Sequence, residues 1–310
     1  MTKTVVAEGY GGPEVLAVQD IVLPDPGPDQ VLIDVKAAGT NPVDYKLYSG
    51  YMGHNPDELP MPLGIEVSGI VASVAPDTNG YTGPLNVGDE VIATGIRGGY
   101  AEQVIADAAD VGHKPASLPF GQAAGLLLAG GTAWHLLTAT GVGEGDTVLI
   151  HGASGGVGLM AVQLAVARGA KVIATASLAR HDQLRDYGAV PVEYGPGLAD
   201  RVRAIGPVDA ALDLVGTDEA LDTSVELVSD RGRIATIAGF ARAGELGIAA
   251  LTGADGGDEI RTAARPELIR LAGDGQLEVT VDRTFPLDEA PEAHRYLQTG
   301  HAGGKVVLLP

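Results

Sequence analysis

The chain has 310 residues, enough for two domains built around separate cores. Its 40 acidic and 20 basic side chains leave a formal net charge of −20, which argues against nucleic acid or an anionic membrane surface as a partner. The absence of cysteine excludes disulfides and every thiolate zinc site. The opening MTKTVVAEGYGG lacks an apolar leader core, and no stretch reaches the length of a membrane span, so a soluble cytoplasmic protein is expected.

In chain order, the first third reads as β-rich. Segment 31–37 alternates apolar and polar residues, 65–74 is apolar with glycines, and 89–94 and 101–106 are further short strands between Gly and Pro turns. Such short, punctuated strands suggest a barrel-like unit. From residue 118 the pattern turns helical, with a long apolar segment that ends at Gly141 and Gly143. Strands at 148–150, 171–176, 191–194, 209–214 and 232–237 then alternate with helices at 159–168, 178–187, 197–205 and 218–228. That alternation predicts a doubly wound parallel sheet. Segments 279–286, 288–299 and 305–309 return to the short-element character of the first part.

The turn at 152–158 carries the strongest signal. In HGASGGVG, Ala153, Gly155 and Gly158 stand at the three positions of the dinucleotide fingerprint G-x-G-x-x-G, with alanine for the first glycine. A backbone free of Cβ lets a pyrophosphate approach, and the following helix N-terminus holds its charge. Set inside a complete βαβ unit, the match is strong, and it assigns Ala153, Ser154, Gly155, Gly156, Val157 and Gly158 to cofactor binding. The next strand ends Thr175-Ala176-Ser177 without the acid that NAD sites use for the ribose 2′-hydroxyl. Ser177, Arg180 and His181 instead suit a 2′-phosphate, which favours NADP; the competing reading has Ser177 as a helix N-cap and Arg180 as a solvated residue.

Seven segments carry a family resemblance: AGTNPVDYKLYSG (38–50), PLGIEVSG (62–69), VGDEV (87–91), GGYAEQV (98–104), AAGLLLAGGTAWHLL (123–137), the glycine turn and GKVVL (304–308). Their order and spacing resemble the zinc-independent, zeta-crystallin-like quinone oxidoreductases of the medium-chain dehydrogenase/reductase superfamily. The resemblance implies an α/β protein with a GroES-like β-rich catalytic domain over 1–118 and 277–310 and a Rossmann domain over 119–276. It also implies NADPH as cofactor, hydride transfer to quinones or other conjugated carbonyls, and a homodimer, with 245–252 as the segment expected at its edge. Zinc-dependent members of the superfamily carry a cysteine near Asn41, a histidine at the position of Ile65 and a four-cysteine lobe beyond Val91. Here all are missing, so no metal site is expected.

The same resemblance places Asn41 beside the nicotinamide, although Asn41-Pro42-Val43-Asp44 also reads as a capped helix start with Asp44 as a structural residue. Thr132 resembles a threonine that approaches the nicotinamide ribose; the alternative is a helix hydroxyl bonded to its own backbone. Trp134 and His135 read as core. Of the clustered Tyr45, Tyr48 and Tyr51, Tyr48 is taken as the phenol that faces substrate, because it lies one to two helical turns beyond Asn41 and Asp44. Lys46 stands where the family often has a tyrosine. Tyr194 matches a position that flanks the 2′-phosphate, Gly239 and Phe240 end the strand on which the nicotinamide would rest, and Lys305 resembles a lysine near the cofactor. Each of Tyr194 and Lys305 also has an ordinary strand-end reading. Two other functions compete with quinone reduction. One is an NADPH-dependent alkenal, enone or enoyl reductase that shares the cofactor site. The other is a dinucleotide-binding sensory or structural protein with little turnover. A short-chain dehydrogenase is excluded, because no Tyr-x-x-x-Lys pair occurs and the fingerprint lies mid-chain.

Overall fold

The computed structural model describes residues 1–254 and 256–310. They divide into two compact units, Met1–Leu128 with Ile269–Pro310 and Ala129–Leu268. Segment 119–128 therefore goes with the first unit rather than the second. There the short helix Phe120–Ala123 is tied to the neighbouring strand by the Ser68 hydroxyl, which donates to the Phe120 carbonyl at 2.6 Å.

The first unit is a β-rich fold around the long strand Gln30–Thr40. That strand pairs antiparallel with Glu66–Val74, Gln103–Asp107 and Lys305–Leu309, and its alternate buried side chains Val31, Ile33 and Val35 enter the core. Lys305–Leu309 in turn pairs parallel with Val281–Pro286. Strand Lys305–Leu309 thus joins the sheet that the first third begins. A separate three-stranded sheet joins Leu16–Ile21, Thr2–Ala7 and Met61–Pro62. Helix Pro42–Tyr48 leaves the end of the long strand, with Pro42 in its first turn and Asp44 accepting the Asn41 N–H at 2.8 Å.

The second unit is a parallel sheet in the order Val190–Val192, Lys171–Thr175, Thr147–His151, Ala210–Asp213, Ile234–Thr236, Ala249–Ala250. Its central strands are continuous apolar runs because helices cover both faces of such a sheet. Helix Gly156–Ala167 follows the first of them and buries residues all around, among them Leu159, Met160, Val162 and Leu164. Helix Asp218–Leu227 starts at Thr217, whose hydroxyl accepts the Ala220 N–H at 3.3 Å. The expected helix over 178–187 resolves into a 3-10 turn, Leu178–Arg180, and a short helix, His181–Asp186.

Candidate active site

On the second unit the glycine turn has the geometry of an anion cradle. Gly152 takes φ +71°, so the left-handed residue stands one position before the fingerprint's first glycine. That explains Ala153: the alanine is fully buried, has no left-handed conformation to adopt, and its N–H donates to the Thr175 carbonyl at 3.1 Å. Gly158 is required by packing, since a Cβ there would lie 2.3 Å from the Gly152 carbonyl oxygen. At Gly155 the nearest atom to such a Cβ is 3.6 Å away, so the backbone is bare but not crowded. Gly155 caps helix Gly156–Ala167, whose first N–H groups have no partner within the helix. A bare backbone before a twelve-residue helix fits a dinucleotide pyrophosphate.

Beyond the neighbouring strand, Ser177 is half-buried at the N-cap position, yet its hydroxyl caps nothing and has no protein partner among the described residues. Arg180 follows on the same turn and is half-buried. His181 differs from expectation: it is buried and its Nε2 lies 3.2 Å from the Ala176 carbonyl, so it braces the turn rather than offering that nitrogen to a phosphate. Tyr194 lies two residues beyond its strand and is 52 % exposed. The Gly239 N–H donates to Thr236 Oγ1 at 2.7 Å, and Phe240 opens the next helix. Thr132 is buried in helix Leu127–Ala139, and among the described residues its hydroxyl makes no bond of the kind that Thr138 and Thr140 make to the preceding turn.

On the first unit, sequence reasoning found two members of a buried polar network, Asn41 and Lys305, and missed the others. Lys305 Nζ donates to Asn41 Oδ1 at 2.6 Å, Glu66 Oε1 at 2.7 Å and the Thr40 carbonyl at 3.1 Å. Those three bonds use every proton of the ammonium, so Lys305 has none left for a cofactor, contrary to expectation. Its role is to pair Glu66 inside the protein, where both side chains are almost fully buried. Glu66 also accepts from Asn41 Nδ2 at 2.9 Å and from the Leu128 N–H at 3.1 Å. These contacts fix the Asn41 carboxamide. Its Oδ1 faces the ammonium and its Nδ2 protons go to Glu66 and Gly39. Asn41 therefore has no N–H left to donate.

The network continues behind helix Pro42–Tyr48. Asp44 Oδ2 accepts from the Tyr100 hydroxyl at 2.7 Å, while Oδ1 is buried with no partner among the described residues. Burial raises the Asp44 pKa to about 7, and the bonds from Tyr100 and Asn41 only partly oppose it. His294 stands between the Tyr48 hydroxyl, 2.9 Å from Nδ1, and the Tyr100 hydroxyl, 3.2 Å from Nε2. Burial lowers its pKa to about 4, so the ring is neutral. Tyr48 is therefore a core residue, with no exposed surface, and cannot stack on a substrate. The spacing that recommended it is the reason: Asp44 and Tyr48 are four apart and share one helix face, and that face points inward. Tyr45 is half-buried against the core, and Tyr51 is 67 % exposed with the Lys46 ammonium 5.8 Å from its ring centre.

Comparison with known proteins follows this geometry. Residues 27–116 match the model of the alcohol dehydrogenase GroES-like domain, and residues 180–308 match that of a zinc-binding dehydrogenase domain. The quinone oxidoreductase of Pseudomonas aeruginosa is 33 % identical, with all of both chains covered. The chain belongs to the quinone oxidoreductases of the medium-chain dehydrogenase/reductase superfamily. Within these oxidoreductases, the NADPH-dependent alkenal/one oxidoreductase of the Arabidopsis thaliana chloroplast is 31 % identical over 99 % of this chain and 79 % of its own length. The Escherichia coli quinone oxidoreductase, solved with NADPH, superposes with a TM-score of 0.86 at 28 % identity over the whole of both chains. The name of the second domain model raises the question of zinc. In this oxidoreductase the polar atoms beside Asn41 are already claimed by the Lys305 ammonium, and that donor set does not fit a metal ion.

Proposed function

We propose that this oxidoreductase uses NADPH and transfers hydride, without zinc, to quinones or related conjugated carbonyl compounds. The observation that carries the choice of NADPH is the strand end at Thr175-Ala176-Ser177. It has no carboxylate, the Ser177 hydroxyl is unspent among the described residues, and Arg180 follows it one turn on. The pyrophosphate would lie over residues 155–158, where bare backbone meets a helix N-terminus. When bound, the nicotinamide supplies the hydride; a quinone takes that hydride and one proton to become the hydroquinone. Asn41 is the candidate polar residue of the first unit in this reading, and its N–H donors are spent on Glu66 and Gly39. Stabilisation of the developing oxyanion then falls to other donors or to water. The homodimer and the cytoplasmic location belong to the same reading; among the described residues no helix is long and apolar enough to cross a membrane.

A second reading, reduction of enones or enals at the β-carbon, is favoured by the likeness to the alkenal/one oxidoreductase and would use the same cofactor site. Steady-state assays with NADPH and NADH against a panel of quinones and enones, with and without chelator, test both. Preference for NADPH, turnover untouched by chelation and hydroquinone as the better product are expected. Preference for NADH or loss of activity on chelation would sink the first reading, and higher kcat/KM on enones would select the second. Tight NADPH binding with no acceptor reduced would point to the non-enzymatic role.

A further inference from the structure

Four polar side chains end neighbouring strands of the second unit in a single transverse row. His151 stands opposite Asp213, Asp213 opposite Thr236, and Thr175 Oγ1 lies 3.4 Å from His151 Nδ1. All four are buried. Polar residues in such a place need partners, and here the partners are the backbone of the loops that follow. Asp213 accepts the Val215 N–H at 3.1 Å, the Gly216 N–H at 2.9 Å and the Thr236 hydroxyl at 2.5 Å. Thr236, having given its proton to Asp213, accepts the N–H groups of Ala238 at 3.1 Å and Gly239 at 2.7 Å. Thr175 Oγ1 accepts the Gly152 N–H at 3.3 Å.

The loops are also interlocked sterically. A Cβ on Gly152 would strike the Val215 side chain at 2.6 Å, and one on Gly216, at φ +78°, would strike the Ala238 carbonyl carbon at 2.8 Å. Loops at 152, 215–216 and 238–239 are therefore one platform, and Asp213 is the group from which two of them hang. We propose that Asp213, acting through Thr236, is a positioning residue for the dinucleotide. It sets the height and conformation of the 215–216 and 238–239 loops without touching the ligand. The inference rests on the reading that this unit binds NADPH. It concerns the nicotinamide half of the site, because the 2′-phosphate candidates Ser177 and Arg180 lie after another strand, Lys171–Thr175.

The full-length protein and its Asp213→Asn, Thr236→Val and Thr236→Ser variants, titrated calorimetrically with NADPH and with adenosine 2′,5′-bisphosphate, give the test. Asn presents a donor where an N–H must be accepted, and Val keeps the shape of Thr without its hydroxyl. Both should raise the Kd for NADPH by about tenfold, the equivalent of one or two lost hydrogen bonds. The bisphosphate, which lacks the nicotinamide half, should bind all variants equally, and Thr236→Ser should match wild type on both ligands. Should Asp213→Asn fail to fold, Thr236→Val and its rescue by Ser decide alone. Unchanged NADPH affinity in Thr236→Val would overturn the inference. Equal loss of both ligands would do the same, by showing a general defect. Wild-type protein that binds neither ligand would instead overturn the proposed function, and this inference with it.

Discussion

Lys305, Glu66 and Asn41 show how a site can be built from a charge pair that never meets solvent. Breaking such a pair leaves one ion buried and uncompensated, which costs far more than the pair itself contributes. Lys305→Met should therefore destabilise the protein by about 3–5 kcal/mol, while Lys305→Met with Glu66→Gln should recover more than half of that loss. Urea unfolding of the four proteins in this cycle measures the coupling; additive losses would mean that the two side chains do not depend on each other. Asp44 offers a pH signature. Its folded pKa of about 7 lies above its ordinary value of 3.8, so between those values the folded state holds a proton that the unfolded state has lost. Its contribution to stability is full below pH 4 and is lost as the pH rises toward 7. His294 acts oppositely over pH 4 to 6.5, since burial lowers its pKa to about 4. The stability advantage of wild type over Asp44→Asn should shrink steadily between pH 4.5 and 7.5 in thermal melts. An advantage that widens with pH would mean that Asp44 is ionised in the fold. The sequence marks Asp44 only as a helix-start residue and gives no sign of its burial, and it does not mark His294 at all, because a buried side chain and a surface one are written with the same letter. Glu66 left a trace, as a lone acid in the apolar run PLGIEVSG.

At the scale of elements, the strands of both units were legible, but their order and pairing were legible only in the parallel sheet. Strands buried on both faces appear as unbroken apolar runs, and helices of regular length separate them, so order and type follow from pattern alone. Strand register in the first unit depends on partners far apart in sequence, and the hydrogen bond from Thr40 to Val306 spans 266 residues. The glycine turn was legible in part. Its helix and its bare positions follow from the fingerprint, whereas the shift of the left-handed residue to Gly152 depends on close packing against Val215. The turn also permits a clean separation of folding from binding. Gly155→Ala has ordinary backbone angles to occupy and no close neighbour, so stability should hold within about 0.5 kcal/mol. The new methyl group would nevertheless stand against the pyrophosphate and should weaken NADPH binding by about tenfold or more. Gly158→Ala meets the Gly152 carbonyl at 2.3 Å and should cost about 1–3 kcal/mol in stability as well. Titration with NADPH beside a melting curve distinguishes the two; equal melting losses would contradict the geometry.

For the molecule as a whole, the formal charge of −20 sets a repulsion that the exposed ion pairs do not cancel. Raising salt from 0.01 to 1 M shortens the Debye length from about 30 to about 3 Å. The melting temperature should rise accordingly, by roughly 2–4 °C for each kcal/mol of repulsion removed. A fall in melting temperature over the first tenth molar would show that favourable pairs such as Arg233–Asp146 outweigh the repulsion. The strand Lys305–Leu309 carries a different consequence, one for synthesis on the ribosome. The second unit is a continuous stretch of chain, 129–268, and all its strands are available once that stretch has emerged. The first unit's long strand Gln30–Thr40 must wait for residues 305–309 before its own end is paired. Until then Glu66 has no counter-ion and Asn41 no fixed orientation, so the nascent protein passes through a period with its second unit foldable and its first unit unfinished. Residues 305–309 thus close the sheet of a unit whose first strands were made long before, and fix the Asn41 carboxamide as they do so.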